Sequence, residues 1–213
     1  MALDEVLAQQ SAGTFLRFYH WTQGPAVTFG YSQFYHFVRK QILPKQGPLC
    51  RRPTGGGIVL HGTDLTFSLI FQSTASPKEI YAALHGAIEQ ALAQSGALIS
   101  SRQGAVTAQS YAPQQQGLAS GCFANPVQDD LLVQGHKILG GAIRKFGERI
   151  LYQGSLQYED ARINPAFRQA VGLGAAQLCG CKFETAPLQV EILEQARQLS
   201  SVQYQQPGWT EKL

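Results

Sequence analysis

The chain predicts an α+β domain whose strands lie mostly in antiparallel hairpins with helices packed on the sheet, and three observations lead there. Short runs rich in β-branched and aromatic residues are broken by glycine turns. Apolar residues recur at helical spacing between and after those runs. Hairpin strands covered by helices make an α+β domain. At 213 residues there is room for one domain with a full hydrophobic core, so the expectation is a single domain over 1–213.

The elements follow in order. Residues 3–9 read as a short helix. Leu16, Phe18 and Val27, Phe29 alternate on either side of Gln23-Gly24-Pro25, which predicts a hairpin. Ser32 is placed to cap a helix over 34–42 that ends before Pro44. Residues 58–60 and 65–71 read as strands. Pro77 suits the first turn of a helix in which Ile80, Leu84, Ile88 and Leu92 form the apolar stripe, with Gly96 stopping it. Residues 101–120, rich in Gln, Ser, Ala and Gly, read as a long loop of the kind that is often functional. Strands return at 131–133, 138–143 and 149–156, with breaks at Gly135-His136 and Phe146-Gly147-Glu148. The last third is helical, with Val190, Leu193, Ala196 and Leu199 as the stripe.

Composition narrows the function. A net charge of +3 is a mild bias that suits acidic carrier proteins, and no Lys/Arg run or aromatic–basic stripe points to nucleic acid. No apolar stretch approaches the roughly 20 residues that span a membrane, and the first residues lack a signal-peptide pattern. Cys50, Cys122, Cys179 and Cys181 do not make a disulfide framework in a chain of this size and read as thiols in a reducing cytoplasm. Cys179 and Cys181 have no second ligand pair nearby, so no metal site is expected.

Three segments carry candidate chemistry. In Arg51-Arg52-Pro53-Thr54-Gly55-Gly56-Gly57-Ile58-Val59-Leu60-His61, three glycines let backbone N–H groups approach a ligand, and the arginines offer charge for a carboxylate or phosphate. The same residues read equally as a flexible turn with two solvated arginines. In Gly135-His136-Lys137-Ile138-Leu139-Gly140-Gly141-Ala142, a strand lysine beside small residues can reach a cleft as a fixed cation, or simply be exposed. In Ser120-Gly121-Cys122-Phe123, the cysteine is a nucleophile if a cation lowers its pKa, or a small buried hydrophobe.

Together these segments resemble a known family. Arg-Arg-x-Thr-Gly-Gly-Gly-x-Val-x-His (51–61) with Asp64-Leu65-Thr66-x-Ser68 is similar to the lipoyl-binding loop of lipoate–protein ligases and octanoyltransferases. Gly135-x-Lys137-Ile138-x-Gly140-Gly141-Ala142 and Gln153-Gly154-Ser155-Leu156 resemble their second signature. Met1–Leu7, the segment from Trp21 to Gln33, and Tyr204…Trp209-Thr210-Glu211 resemble the framing parts, so the likeness covers nearly the whole chain.

The resemblance implies a mixed, mostly antiparallel sheet of the biotin/lipoate ligase type, related to class II aminoacyl-tRNA synthetases. It also implies one pocket, with Arg52, Thr54, Gly55, Gly56, Gly57, Ile58, Val59, His61, Gly140, Gly141, Ala142 and Gly154 binding substrate. Two chemistries are known on that fold. Ligases make an acyl-adenylate from lipoate with ATP and Mg. Octanoyltransferases take octanoate from acyl carrier protein onto a cysteine and need no cofactor. Cys122, shortly before the Lys137 motif, resembles the nucleophile of the second kind, and the expectation is a catalytic domain without an accessory C-terminal domain.

The expectation is therefore octanoyl or lipoyl transfer from acyl carrier protein to a lysine of lipoyl-domain proteins, the glycine cleavage H protein or 2-oxoacid dehydrogenase E2 subunits. Cys122 and Lys137 would be catalytic. The alternatives are an ATP-dependent ligase forming lipoyl-AMP and a non-catalytic carrier-binding subunit.

Overall fold

The structure, a computed structural model, describes residues 1–21, 24–42, 47–97 and 128–212. The Cys122 segment and the 101–120 loop lie outside them.

A five-stranded antiparallel sheet runs, in order across it, through β1 (Phe15–Tyr19), β5 (Leu65–Gln72), β8 (Arg149–Leu156), β7 (His136–Phe146) and β6 (Leu131–Val133). Its two faces differ because successive strand residues point to opposite sides. In β5, Leu65, Phe67, Leu69 and Phe71 join the main core with Ile150, Tyr152 and Leu156 of β8. Helices α3 (Pro77–Gln94) and α4 (Pro165–Cys179) cover that face through Ile80, Leu84, Ile88, Phe167 and Val171. On the opposite face Ile70 and Leu151 pack under Leu7 and Ala8 of α1 (Ala2–Gln10), joined by Ile192 of α5 (Val190–Leu199). Farther along that same face the residues turn polar, and there the candidate site opens.

A second sheet has the order β3-β2-β4, from β2 (Ala26–Phe29), β3 (Leu49–Arg51) and β4 (Val59–His61). β2 is fully buried and runs parallel to β3 and antiparallel to β4. The fold is thus α+β with a mostly antiparallel arrangement, in which β2–β3 is the parallel pairing among the described residues. Helix α2 (Tyr35–Gln41) closes this sheet, with Val38 packing on Val27, Phe29 and Ile58.

Several expectations are corrected. The predicted hairpin of residues 16–29 does not form: β1 pairs with β5 and β2 with β3 and β4, so the two strands belong to different sheets. Alternation marks a strand but not its partner, which register and burial decide. Ser32 does not cap α2. Phe34 is the N-cap without a side-chain bond, while Gln33 Oε1 accepts from the Gly30 N–H at 2.9 Å and tightens the preceding turn.

β3 had no predicted counterpart, α4 falls within the last third that was expected to be helical, and β7 is longer than the expected 138–143. Val190 is 62% exposed, and Ile192 takes its place in the stripe. The predicted strand at 149–156 and the Pro77 helix stand; Ser76 and Glu79 close a capping box on the latter. Among the described residues no helix is long and apolar enough to cross a membrane, and Cys50, Cys179 and Cys181 are free thiols.

Candidate active site

The register of the large sheet lines up Tyr19, Thr66, Ser155 and Gly140 across β1, β5, β8 and β7, and Ser68, Gln153 and Ala142 in the adjoining row. Directly paired residues share a face, so these small and polar side chains floor a cleft while their neighbours Phe67 and Tyr152 fill the core. The cleft is partly open to solvent, comprises about 370 Å³ of empty space with its mouth included, and is also walled by Met1, Thr28, Arg52, Val59 and His61.

Glycine is required where the floor meets the core. A Cβ on Gly154 would lie 2.5 Å from the Phe67 ring, and one on Gly141 would lie 2.3 Å from Tyr152. Those two rings stack at 5.6 Å beneath the floor. Tyr152 is fixed in turn by a 2.6 Å contact between its hydroxyl and His85 Nε2.

The glycine loop is held down from both sides. A Cβ on Gly30 would sit 2.0 Å from the Gly56 carbonyl oxygen, so only glycine lets the loop rest there, and Gly56 itself has φ +84°. Arg52 is buried, and its guanidinium donates to Thr28 Oγ1 and to the Gly55 and Gly57 carbonyls, each at 2.8 Å. The loop therefore uses Arg52 to shape itself, while the side chain still lines the cleft. Thr54 is buried and donates to Gln153 Oε1 at 2.7 Å. Ile58 points into the small-sheet core with Val27 and Phe29, and Val59 faces the cleft instead. Arg51, expected to offer charge to a ligand, is wholly buried among backbone carbonyls and faces the C-terminal segment.

His61 is fixed at both ring nitrogens. Asp64 can only accept, so His61 Nδ1 donates to Asp64 Oδ2 at 2.8 Å. Nε2 then faces Thr28 Oγ1 at 2.8 Å, and in the neutral imidazole the threonine hydroxyl is the donor. Thr66 and Ser155 also donate to Asp64 Oδ2, at 2.8 and 2.7 Å. Burial pushes Asp64 upward, but these bonds outweigh it and hold the carboxyl below the ordinary range.

Asp4 plays a parallel part beneath Gln153. It is fully buried and receives bonds from Ser68 Oγ (2.7 Å), Gln153 Nε2 (2.8 Å) and Arg17. Burial again opposes its charge, and the N-terminal ammonium, Arg17, Ser68 and Gln153 together lower its pKa.

A group whose folded pKa is depressed stabilises the fold above its unfolded value, here about 3.8, and loses that contribution as pH falls through the lower folded value. The melting temperature should accordingly be flat from about pH 7 to about pH 5 and drop steeply below about pH 4. In Asp4→Asn the drop should be smaller and the neutral-pH melting temperature lower. Identical acid limbs in the two proteins, followed by circular dichroism, would remove Asp4 from this account.

Lys137 stands at the β7 end of the cleft. Its ammonium pairs with Asp130 at 2.9 Å, with both side chains 3% exposed. A Cβ on Gly140 would lie 2.2 Å from Lys137 Cε and 2.6 Å from Nζ, so the lysine folds back over a position only glycine leaves open. The backbone carbonyl of Asp129, a residue with φ +69°, accepts from His85 Nδ1 at 2.7 Å and anchors the chain next to Asp130.

The structure thus brings Arg52, Val59, His61, Gly140, Gly141, Ala142 and Gly154 to one cleft, with Lys137 at one end. Gly56 lies close by: a Cβ there would be 3.6 Å from the Ala142 Cβ. Thr54 and Ile58 support the walls from behind. Cys122 lies outside the described residues.

Tyr19, Thr28, Thr66, Gln153 and Ser155 also line the cleft and were not among the predicted site residues. Four of these five do have a legible signal, being polar residues in strands that otherwise read as buried. No group of three or more His, Cys, Asp or Glu placed to hold a metal occurs among the described residues.

Comparison with known proteins agrees with this architecture. Two relatives named octanoyltransferase LipM, from Carboxydothermus hydrogenoformans and Geobacillus kaustophilus, are 31% and 34% identical over 165 and 170 residues. In both cases the match covers 73% of this chain and 59% of the relative, so the chain spans under two thirds of the length of these proteins.

Among solved structures, lipoate-protein ligase A bound with ATP superposes with a TM-score of 0.71 at 20% identity, covering 99% of this chain and 92% of that one. A bipartite lipoate protein ligase from Thermoplasma acidophilum, solved in a study of that enzyme and its E2 lipoyl domain, gives 0.70 at 20% identity, covering 100% and 91%. At such identities the likeness is one of fold. A family model described as the lipoyl protein ligase A/B catalytic domain matches residues 1–170, and the chain belongs to that family.

Proposed function

We propose that this chain is an acyltransferase that moves an octanoyl group from the thioester of an acyl carrier protein to a lysine of a lipoyl-domain protein, by way of a thioester on Cys122. The observation that carries the reading is the cleft itself. A glycine-floored groove ends at a buried, carboxylate-held lysine, and the chain that builds it is about 30% identical to relatives named octanoyltransferases.

The chemistry follows from the groups. The Cys122 thiolate attacks the donor carbonyl, and collapse of the tetrahedral oxyanion expels the carrier thiolate, which leaves as the thiol on taking up a proton. The acceptor lysine amine then attacks the enzyme thioester, forms the amide and expels Cys122 as thiolate, with the amine proton passing to solvent. Both steps start from an activated acyl group, so no nucleotide is consumed. Lys137, near Gly140, supplies a fixed positive charge for the oxyanion and for the thiolate. Lipoyl domains such as the glycine cleavage H protein and the E2 subunits of 2-oxoacid dehydrogenases are the acceptors, and the cytoplasm is the compartment of this chemistry.

The test is intact mass after incubation with octanoyl-acyl carrier protein, for the wild type and Cys122→Ala. A hydroxylamine-sensitive octanoyl adduct on the wild type that is absent from Cys122→Ala is the expected result. No adduct, with lipoyl-AMP formed from ATP and lipoate, would make the protein a ligase. Neither product would leave a carrier-binding subunit.

A further inference from the structure

The polar side chains lining the cleft differ in whether their hydrogens are already committed. Thr28 and Arg52 bond each other, and Thr28 also meets His61. Thr66 and Ser155 donate to Asp64, and Gln153 is held between Thr54 and Asp4. Tyr19 is the exception. Its hydroxyl is shielded from solvent and has no hydrogen-bond partner among the described residues.

A buried hydroxyl left unpaired costs free energy, and such groups in folded proteins are usually accounted for by a ligand, an ion or a water. Burial, with Asp4 adding to it, raises the phenol well above its ordinary pKa, so it is a neutral donor at any working pH.

Position says which part of a ligand it meets. Tyr19 pairs with Thr66, Thr66 with Ser155 and Ser155 with Gly140, so three strand-to-strand steps, about 14 Å, separate the Tyr19 and Gly140 backbones. The Lys137 ammonium folds over Gly140 at the other end of that row. On the reading of the site given above, the acyl carbonyl sits at the Lys137 end, so Tyr19 meets the distal end of the chain.

We propose that the Tyr19 hydroxyl donates a hydrogen bond to an acceptor atom carried near the distal end of the bound acyl group. The pocket then admits the octanoyl tail but holds chains bearing oxygen or sulfur at that end more tightly. An octanoyl chain ends in a methyl group and leaves the donor unpaired. A hydroxylated chain satisfies it fully, and the sulfurs of a lipoyl ring do so more weakly, because sulfur is a poor acceptor. Sites built to bond a polar group discriminate against the analogue that lacks it, since their own donor is then stranded.

The experiment reads binding rather than turnover, and so does not depend on the transfer chemistry. Octanoate, 8-hydroxyoctanoate and lipoate are titrated calorimetrically into the wild-type chain and into Tyr19→Phe. The wild type should favour 8-hydroxyoctanoate over octanoate by about tenfold, with lipoate between them, and Tyr19→Phe should bring the three within about twofold. The free Tyr19→Phe protein should melt at or above the wild-type temperature, because an unpaired hydroxyl has been removed.

An unchanged ranking in Tyr19→Phe would overturn the proposal while leaving the acyl pocket in place. So would a fall of several degrees in the melting temperature of the free variant, which would mean that the hydroxyl already has a partner such as a trapped water. Failure of all three acids to bind would remove the acyl pocket, and this inference with it.

Discussion

Lys137→Ala is expected to slow formation of the octanoyl adduct by about 10²–10³-fold, the size of loss seen when one donor to a developing oxyanion is removed. The lysine is not an ordinary surface cation. Its side chain is 3% exposed, it pairs with an equally buried Asp130, and its stem crosses the space that a Gly140 side chain would occupy. Deleting the ammonium withdraws the partner of a buried carboxylate, so a stability loss of about 3 kcal/mol should accompany the kinetic one.

Gly140→Ala separates the two effects. The new methyl group would lie 2.2 Å from Lys137 Cε, and a flexible side-chain end can yield where a backbone cannot. If the ammonium shifts while staying paired with Asp130, Gly140→Ala should lose less stability than Lys137→Ala and still form the adduct slowly. Rates of adduct formation measured beside thermal melts decide the matter. If Lys137→Ala reacts within about threefold of the wild type, the lysine has no place at the oxyanion.

Arg51→Ala carries the largest expected loss of stability, about 4 kcal/mol, or a fall of roughly 10 °C in melting temperature for a chain of this size. Arg51 has no solvent exposure, and its guanidinium donates to the carbonyls of Tyr31 and Gln33 at 2.7 Å and to those of Trp209 and Thr210 at 3.0 Å. It also bonds the Lys212 carbonyl and lies 4.7 Å from the centre of the Phe29 ring. The Trp209 indole returns a bond to the Arg51 carbonyl at 3.0 Å.

One planar fork therefore joins the turn after β2 to the C-terminal segment, and alanine strands several carbonyls at once. Arg51→Lys should recover less than half of the loss, because an ammonium has three donors and no planar geometry. Limited proteolysis should cut near the C-terminus first in both variants. A melting temperature within about 2 °C of the wild type in Arg51→Ala would show that the clamp contributes little.

Arg51 and Arg52 mark the limit of what adjacent residues disclose. In the sequence both read as charge for a ligand or as solvated ends of a turn. In the structure Arg51 is committed to carbonyls more than 150 positions away, and Arg52 to its own loop and Thr28. The hairpin expected between residues 16 and 29 fails for a related reason. Alternation along β1 and β2 is real, but it does not say that β5 competes for β1 while β3 and β4 enclose β2. Elements whose signals are local did better: the helix opened by Pro77 and the strand at 149–156 lie where spacing and turns put them.

By itself the sequence determined the fold class, the family resemblance and the two glycine motifs, since periodicity, turn chemistry and motif spacing are written in neighbouring residues. The tertiary structure alone decided that Lys137 is held by Asp130, that Asp64 orients His61, and that Tyr19 faces the same cleft as Gly140 from the far side of the sheet. Those relations depend on which strands pair and in what register, and register is set by the burial of whole faces, not by the residues nearby in the chain.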